Sequence, residues 1–285
     1  MELKHIARRQ GRLSSVLRED MTMSAGLVNR LKWQERLFVN GIPRHTDFTV
    51  SPGDEITVPL DEPTPEYPAE YGELTVLYED EHILAVDKPA GMLIHPSRSR
   101  MTGTLANLVL GHYKKTGQQS AFHPLTRLDR DTFGIVLLAK NSHMHALLAD
   151  ANVKKTYEAL IYGTLSEKEL TIDAPIARLP LPSLLRHVDP EGKPSVTHLQ
   201  LCQQLDGYCH VALQPVTGRT HQLRIHCAHI GHPILGDPQY GTEQSQAFSL
   251  KHGLSYQQLC AKKLQFIHPI TKKELLLVSK LEPSI

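Results

Sequence analysis

Apolar and polar positions alternate through "LTVLYEDEHILAVDKPAGMLIHP" (74–96) in two runs around Glu79-Asp80-Glu81. A period of two predicts a pair of strands. "GIVLLAKN" (134–141) is an unbroken apolar run, the pattern of a buried strand. "SHMHALLADANVKK" (142–155) switches to helical spacing, with Ser142 placed as the N-cap. "TYEALIYGTL" (156–165) returns to strand, and "SVTHLQLCQQLDGYCHVALQPV" (195–216) gives two alternating runs across Asp206-Gly207, a hairpin. "TGRTHQLRIHCAHIG" (217–231) predicts a helix ended by Gly231, and "LQFIHPITKKELLLVS" (264–279) a last hairpin.

The first sixty residues follow a different plan. "SSVLREDMTMSAGLVNRLKWQERLFVNGIP" (14–43) has helical spacing broken at Gly26. "RLFVNGIPRHTDFTVSPGDEITV" (36–58) predicts short strands turning at Asn40-Gly41 and Pro52-Gly53-Asp54. Between the two plans lies "PLDEPTPEYPAEYGE" (59–73), rich in proline and acid and unable to bury a face. The expected organisation is a small α/β module over 1–60, a linker over 61–73 and a large domain over 74–285. Long β segments with few helices make the large domain α+β, with a mixed, mostly antiparallel sheet.

A chain of 285 residues holds ample apolar material for such a core, with 40% hydrophobic and 21% charged residues. No apolar run reaches the roughly 20 residues of a membrane-spanning helix, and no secretory leader is visible at the start. A cytoplasmic protein is expected. Its four cysteines, Cys202, Cys209, Cys227 and Cys260, form no C-x-x-C pair and read as reduced thiols. A net charge of +1 identifies no partner by itself.

Four polar segments stand out: "RLDRDT" (127–132), "KKTYEAL" (154–160), "TGRTHQLRIH" (217–226) and "GHPILGDPQYG" (231–241). Taken singly each has a plain account. Asp129 and Asp131 can stabilise a turn, Tyr157 can be a core aromatic, and Arg219 and Arg224 can lie on a solvated helix face. His221, His226, Cys227 and His229 crowd together, but neither H-E-x-x-H nor a cysteine pair accompanies them, so no metal is expected. There is no G-x-G-x-x-G, no Walker-type loop and no G-x-S-x-G elbow, which removes the usual signals of nucleotide cofactors and serine hydrolysis. A carboxylate, an arginine and an aromatic remain. An arginine favours the ionised form of a carboxylate beside it and fixes its direction. An aromatic can stack on a base, and a carboxylate can attack covalently or take a proton.

"TRLDRDTFGIVLLAKN" (126–141) resembles the RLD-x-x-T-x-G segment of the RluA-type pseudouridine synthases. "VLYEDEHILAVDKPAGMLIHP", "KKTYEALIYG" and "VTGRTHQLRIHCAHIGHPILGDPQYG" are similar to three more motifs of that family, in the same order. The likeness covers residues 74–281. It implies isomerisation of uridine to pseudouridine within RNA, with no metal or organic cofactor. It also implies Asp129 as the catalytic aspartate, Tyr157 as the tyrosine stacked on the target base and Arg224 as the arginine paired with Asp129. Arg127 would help hold the flipped-out RNA. Residues 12–60 more faintly resemble the S-four-type RNA-binding module, where Arg30, Lys32 and Arg36 would contact the RNA backbone. Large-subunit ribosomal RNA is the expected partner, with transfer RNA the alternative substrate, and the protein is expected to be a monomer away from membranes. Thr126 and Phe133 stand where the family commonly has His and Ser. A non-catalytic RNA-binding relative, or a hydrolase using Asp129 with the 221–229 histidines, are the competing readings.

Overall fold

The computed structural model describes residues 2–60, 67–97, 99–180, 182–183 and 185–285. Part of the expected linker, residues 61–66, lies outside the described residues.

The first sixty residues close around their own core. Strand Glu2–Ile6 pairs antiparallel with Glu55–Pro59 in a four-stranded sheet. Helix Ala25–Trp33 packs against it through Leu27, Val28 and Leu31, over a core that includes Leu17, Val39, Ile56 and Val58. The expected break at Gly26 falls earlier. A π-helical turn, Val16–Asp20, ends at Met21, and Ser24 caps the next helix by accepting from the Leu27 N–H at 3.2 Å. That capped start leaves Gly26 in the first turn, where its flexibility breaks nothing. Asn40 and Gly41 have φ of 51° and 75°, as a two-residue hairpin turn requires.

The large domain is a ten-stranded sheet. Its principal order is Glu169–Asp173, Val196–Gln204, Tyr208–Pro215, Lys154–Tyr162, Leu259–Ile267, Phe133–Ala139, Ile83–Lys88, Thr75–Glu79. Every described pairing in it is antiparallel but one: Phe133–Ala139 lies parallel to Leu259–Ile267, with Gly134 opposite Ala261. A Cβ at Gly134 would sit 2.5 Å from the Ala261 carbonyl oxygen, and its φ of 104° belongs to glycine. The side-chain alternation explains the apolar run at 134–139. Val136 and Leu138 join Leu84 and Val86 beneath helix Leu105–Lys115. Ile135, Leu137 and Ala139 join Ile83 and Ala85 beneath helix Ser142–Asp150. Both faces are covered, so neither needs polar residues. The other end of the sheet packs Ala159, Ile161, Val211 and Leu213 against helix Gln222–His229.

Residues 67–73 are docked on the large domain. Asn107 donates from its side chain to the Pro68 carbonyl at 2.8 Å, and Glu70 accepts from the Gly103 N–H at 2.7 Å. Tyr67 and Ala69 pack on the core there.

Two helix boundaries move. Asn141, not Ser142, caps the helix at 142–150, its side-chain oxygen accepting from the Met144 N–H at 2.8 Å. Its extended backbone leaves Ser142 as the first helical residue. The predicted helix over 217–231 shortens to Gln222–His229. The Gln222 side-chain oxygen accepts from the Arg219 N–H at 3.0 Å and the Thr217 hydroxyl at 2.8 Å, folding those residues into a turn. Gly231 does end the helix: its N–H reaches Ala228 O and the His232 N–H reaches Cys227 O, closing a Schellman motif.

Candidate active site

The loop ahead of strand Phe133–Ala139 carries Asp129, and three anchors hold it. Buried Thr126 accepts from the Leu137 N–H at 3.1 Å. Thr132 accepts from Gln257. Lys88, fully buried, donates to the carbonyls of Pro89, Met92 and Arg130, each at 2.9 Å. Burial lowers the Lys88 pKa to about 8, against the opposing pull of Asp131 and Asp129. A buried ammonium with three carbonyl partners is satisfied, and it staples the Asp129 loop to the end of strand Ile83–Lys88.

Arg224 enters from helix Gln222–His229 and donates through Nη1 to Asp129 Oδ2 at 3.1 Å. It is itself gripped from behind. Nε and Nη2 donate to the two carboxylate oxygens of Asp237 at 2.7 and 2.8 Å, and Nη2 also reaches Gln239 at 2.7 Å. The Tyr240 ring lies 4.9 Å from the guanidinium carbon. Burial works against the Arg224 charge, yet Asp237 and then Asp129 outweigh it and raise its pKa. Side-chain exposure falls from 29% at Asp129 to 5% at Arg224 and 0% at Asp237. Only the outermost member of this charged relay is open to a ligand.

Asp129 lies in the lining of a cleft of 770 Å³, together with Ile94, Tyr157, Leu223 and Leu259. That volume suits a small organic ligand such as a nucleoside. Tyr157 stands at a register shift between Lys154–Tyr162 and Leu259–Ile267, and touches the cores on both sides of the cleft. A bulge of this kind re-aims a side chain. Burial, then the Asp129 charge, push its phenol up to about 12. Exposed Arg127 lines the same cleft. Arg130 and Asp131 pair with each other, Nη2 to Oδ2 at 2.8 Å.

The structure thus brings together Asp129, Arg224, Tyr157 and Arg127. It does not gather the basic residues of the small module. Arg30 donates to Ser142 of the large domain at 3.0 Å, Lys32 lies 5.7 Å above the ring of Trp33, and Arg36 is half-buried. The histidines of 221–229 do not converge. His226 is buried between the Thr197 hydroxyl and the Ala174 carbonyl. His221 shares a 2.8 Å hydrogen bond with the Tyr240 hydroxyl, and its Nε2 is 3.8 Å from Asp129 Oδ2. Among the described residues no group of three or more His, Cys, Asp or Glu side chains is placed to hold a metal ion. Nor is any described helix long and apolar enough to cross a membrane.

Lys88 and Asp237 are additions from the structure, and His221, one of the histidines singled out at 221–229, stands beside Asp129 in its own right. His221 has a left-handed φ of 58°, which no local sequence cue announces. Asp237 does leave a cue: its carboxylate accepts from the N–H groups of Gln239 and Tyr240, an Asx turn of the kind that "GDPQ" suggests.

Comparison with known proteins places the chain in a family. The family profile described as RNA pseudouridylate synthase matches residues 82–229. The chain belongs to that family, and it is an isomerase of the RNA pseudouridine synthase class, RluA type. It is 38% identical over 245 residues to the uncharacterized RNA pseudouridine synthase YjbO of Bacillus subtilis, covering 84% of each chain. It is 37% identical over 211 residues to the ribosomal large subunit pseudouridine synthase D of Pseudomonas aeruginosa, covering 72% of this chain and 66% of that one. Among solved structures, human RNA pseudouridylate synthase domain containing 1 superposes with a TM-score of 0.61 at 25% identity, covering 76% of this chain and 87% of that one.

Proposed function

We propose that this protein isomerises uridines of large-subunit ribosomal RNA, with Asp129 as the group that acts on the target nucleotide. One observation carries the assignment: a partly exposed carboxylate, fixed by a buried arginine at 3.1 Å, at the edge of a nucleoside-sized cleft. The ribosomal substrate rests on the Pseudomonas aeruginosa relative, which bears that description in its name.

The reaction breaks the bond between the sugar's anomeric carbon and the ring nitrogen. It forms one from the same carbon to carbon 5 of the base, and the proton leaving carbon 5 ends on the freed nitrogen. Asp129 can open it by attacking the anomeric carbon or by taking a sugar proton to give a glycal. Either route needs the nucleotide out of its stack, which costs a few kcal/mol. Tyr157 supplies a ring beside Asp129 for the displaced base, and stacking on it returns about 1–3 kcal/mol. Arg224 holds the carboxylate's direction and is too buried to touch RNA broadly. Arg127 stands at the exposed side of the cleft, where it can meet a phosphate or the gap left in the RNA.

In the small module, Trp33 is 82% exposed with Lys32 beside it, a pairing suited to single-stranded RNA. Residues 1–60 act here as an RNA-binding module of the S-four type, and Arg30, Lys32 and Arg36 provide its positive charge.

The test is to map pseudouridine across cellular RNA with and without the gene. The missing sites should lie in large-subunit ribosomal RNA and return with the wild-type gene but not with Asp129→Asn. Missing sites in transfer RNA would move the substrate. A rescue by Asp129→Asn would remove Asp129 from the chemistry.

A further inference from the structure

A second cavity of 540 Å³ adjoins the cleft: the two share Asp129, Arg130, His221 and Arg224 in their linings, and Tyr157 lines only the first. Its remaining walls bring Arg178 and Arg186, which face each other in register across the small antiparallel hairpin Ile176–Arg178 and Arg186–Val188. The hairpin is seated on the site. The Arg186 N–H donates to the Tyr240 hydroxyl, the same group that holds His221, and the Arg186 charge helps depress the His221 pKa after burial and Arg224.

The charge of this cavity is lopsided. Four guanidinium groups line it against two carboxylates, Asp129 and Asp131. Arg130 is engaged with Asp131, and Arg224 with Asp129 and Asp237. Arg178 is exposed and has no ion pair among the described residues. A neutral uracil ring does not call for that excess of positive charge, and the wall beside Tyr157 already suits it. What a uridine in RNA carries on its other side is the sugar–phosphate chain. A guanidinium fork matches a phosphate's oxygens in geometry and charge.

We infer that Arg178 and Arg186 form a subsite for the RNA phosphodiester next to the target uridine, clamping the backbone on one side of Asp129 while the base lies on the other. This rests on the reading of Asp129 and Tyr157 given above. It adds a ligand group, a phosphodiester, and the side of the cleft from which the strand leaves.

The experiment compares wild type with Arg178→Gln, Arg178→Lys and the distant control Lys251→Gln, using ribosomal RNA extracted from cells that lack the gene. Two quantities are read separately: filter-binding affinity over a range of salt, which needs no turnover, and the steady-state rate of pseudouridine formation. Arg178→Gln should bind at least about fivefold more weakly, and the slope of log affinity against log salt should drop by about 1, the signature of one lost phosphate contact. KM should rise while kcat stays within about twofold. Arg178→Lys should keep the salt slope and recover part of the affinity, because it keeps the charge and loses the fork. Lys251→Gln should change neither. Arg178 is exposed, so its variants should melt with the wild type. If Arg178→Gln matches wild type in affinity and salt slope, there is no phosphate subsite here. If wild type makes no pseudouridine in this RNA, the ribosomal substrate reading fails, while the binding comparison still decides for or against Arg178.

Discussion

Arg224 and Arg127 border the same cleft, 97 positions apart, and are built in opposite ways. Arg224 is buried, bidentate to Asp237, hydrogen-bonded to Gln239 and lodged over Tyr240 before it ever reaches Asp129. Arg127 is exposed at the rim. Lys88 belongs with Arg224, a buried cation whose three partners are all backbone carbonyls. Positive charge thus does two jobs in one cleft. On the floor it is fixed in advance and sets where a carboxylate points. At the rim it stands exposed, and under the proposed function it meets phosphates there.

The comparison breaks first at Asp237. Asp237→Ala leaves the Arg224 guanidinium buried with Asp129 as its only carboxylate partner. Removing one member of a buried pair costs about 3–5 kcal/mol. Denaturant unfolding should show a loss of that size, and kcat should fall in the fraction that remains folded. A stability loss under about 1 kcal/mol would mean that the floor is not pre-organised as described.

Lys88 sharpens the floor further through pH. Its folded pKa is about 8 against an ordinary 10.5. Below about 8 both folded and unfolded chains carry the proton, and the folded one bears the burden of burying it. Between about 8 and 10.5 the unfolded chain still holds the proton while the folded chain releases it, so stability from this group rises with pH. Wild type should therefore gain up to about 3 kcal/mol on Lys88→Met across that window, measured as urea midpoints at matched salt. A gap that stays constant with pH would mean that Lys88 titrates normally.

The rim predicts the smallest effect. Arg127→Gln should leave stability unchanged within about 0.5 kcal/mol, as surface substitutions do. It should weaken RNA binding by only a few fold and lower the salt slope by about 1. If it instead abolished turnover at saturating RNA, Arg127 would belong with Arg224 on the floor.

The legible parts of this molecule are those whose signal is local. Strands covered on one face alternate, as at 196–215, and the strand covered on both, 133–139, is apolar throughout. Asp129, Tyr157 and Arg224 are recognisable from short strings, and their convergence from positions up to 95 apart follows the resemblance. Helix Leu105–Lys115 is less legible, although Leu105, Ala106, Val109, Leu110 and Tyr113 are all buried at helical spacing. Its capping box has the usual Thr, Thr104, but Asn107 stands where Glu or Gln is usual. The helix within 217–231 is shorter than its pattern suggests because a glutamine side chain, Gln222, takes the place of a backbone acceptor at its start. Asp237 and Lys88 act through partners distant in sequence, Arg224 and the Arg130 carbonyl, and no periodicity announces such contacts.

The parallel pairing of Phe133–Ala139 with Leu259–Ile267 has a consequence for assembly in time. Every side chain assigned to the cleft floor lies before residue 241, yet the strand that flanks the Asp129 segment begins at Leu259, and Gln257 beside it holds Thr132. A growing chain therefore carries Asp129, Tyr157 and Arg224 well before it can fix the segment around Asp129. Contacts this far apart in sequence form late, because a long loop must close before they return any energy. A chain stopped at residue 256 would keep Asp129, Arg224 and Asp237 and still be expected to turn over no RNA. Residues 257–267 are thus what fixes the segment that carries Asp129, although the side chains that meet there come earlier in the chain.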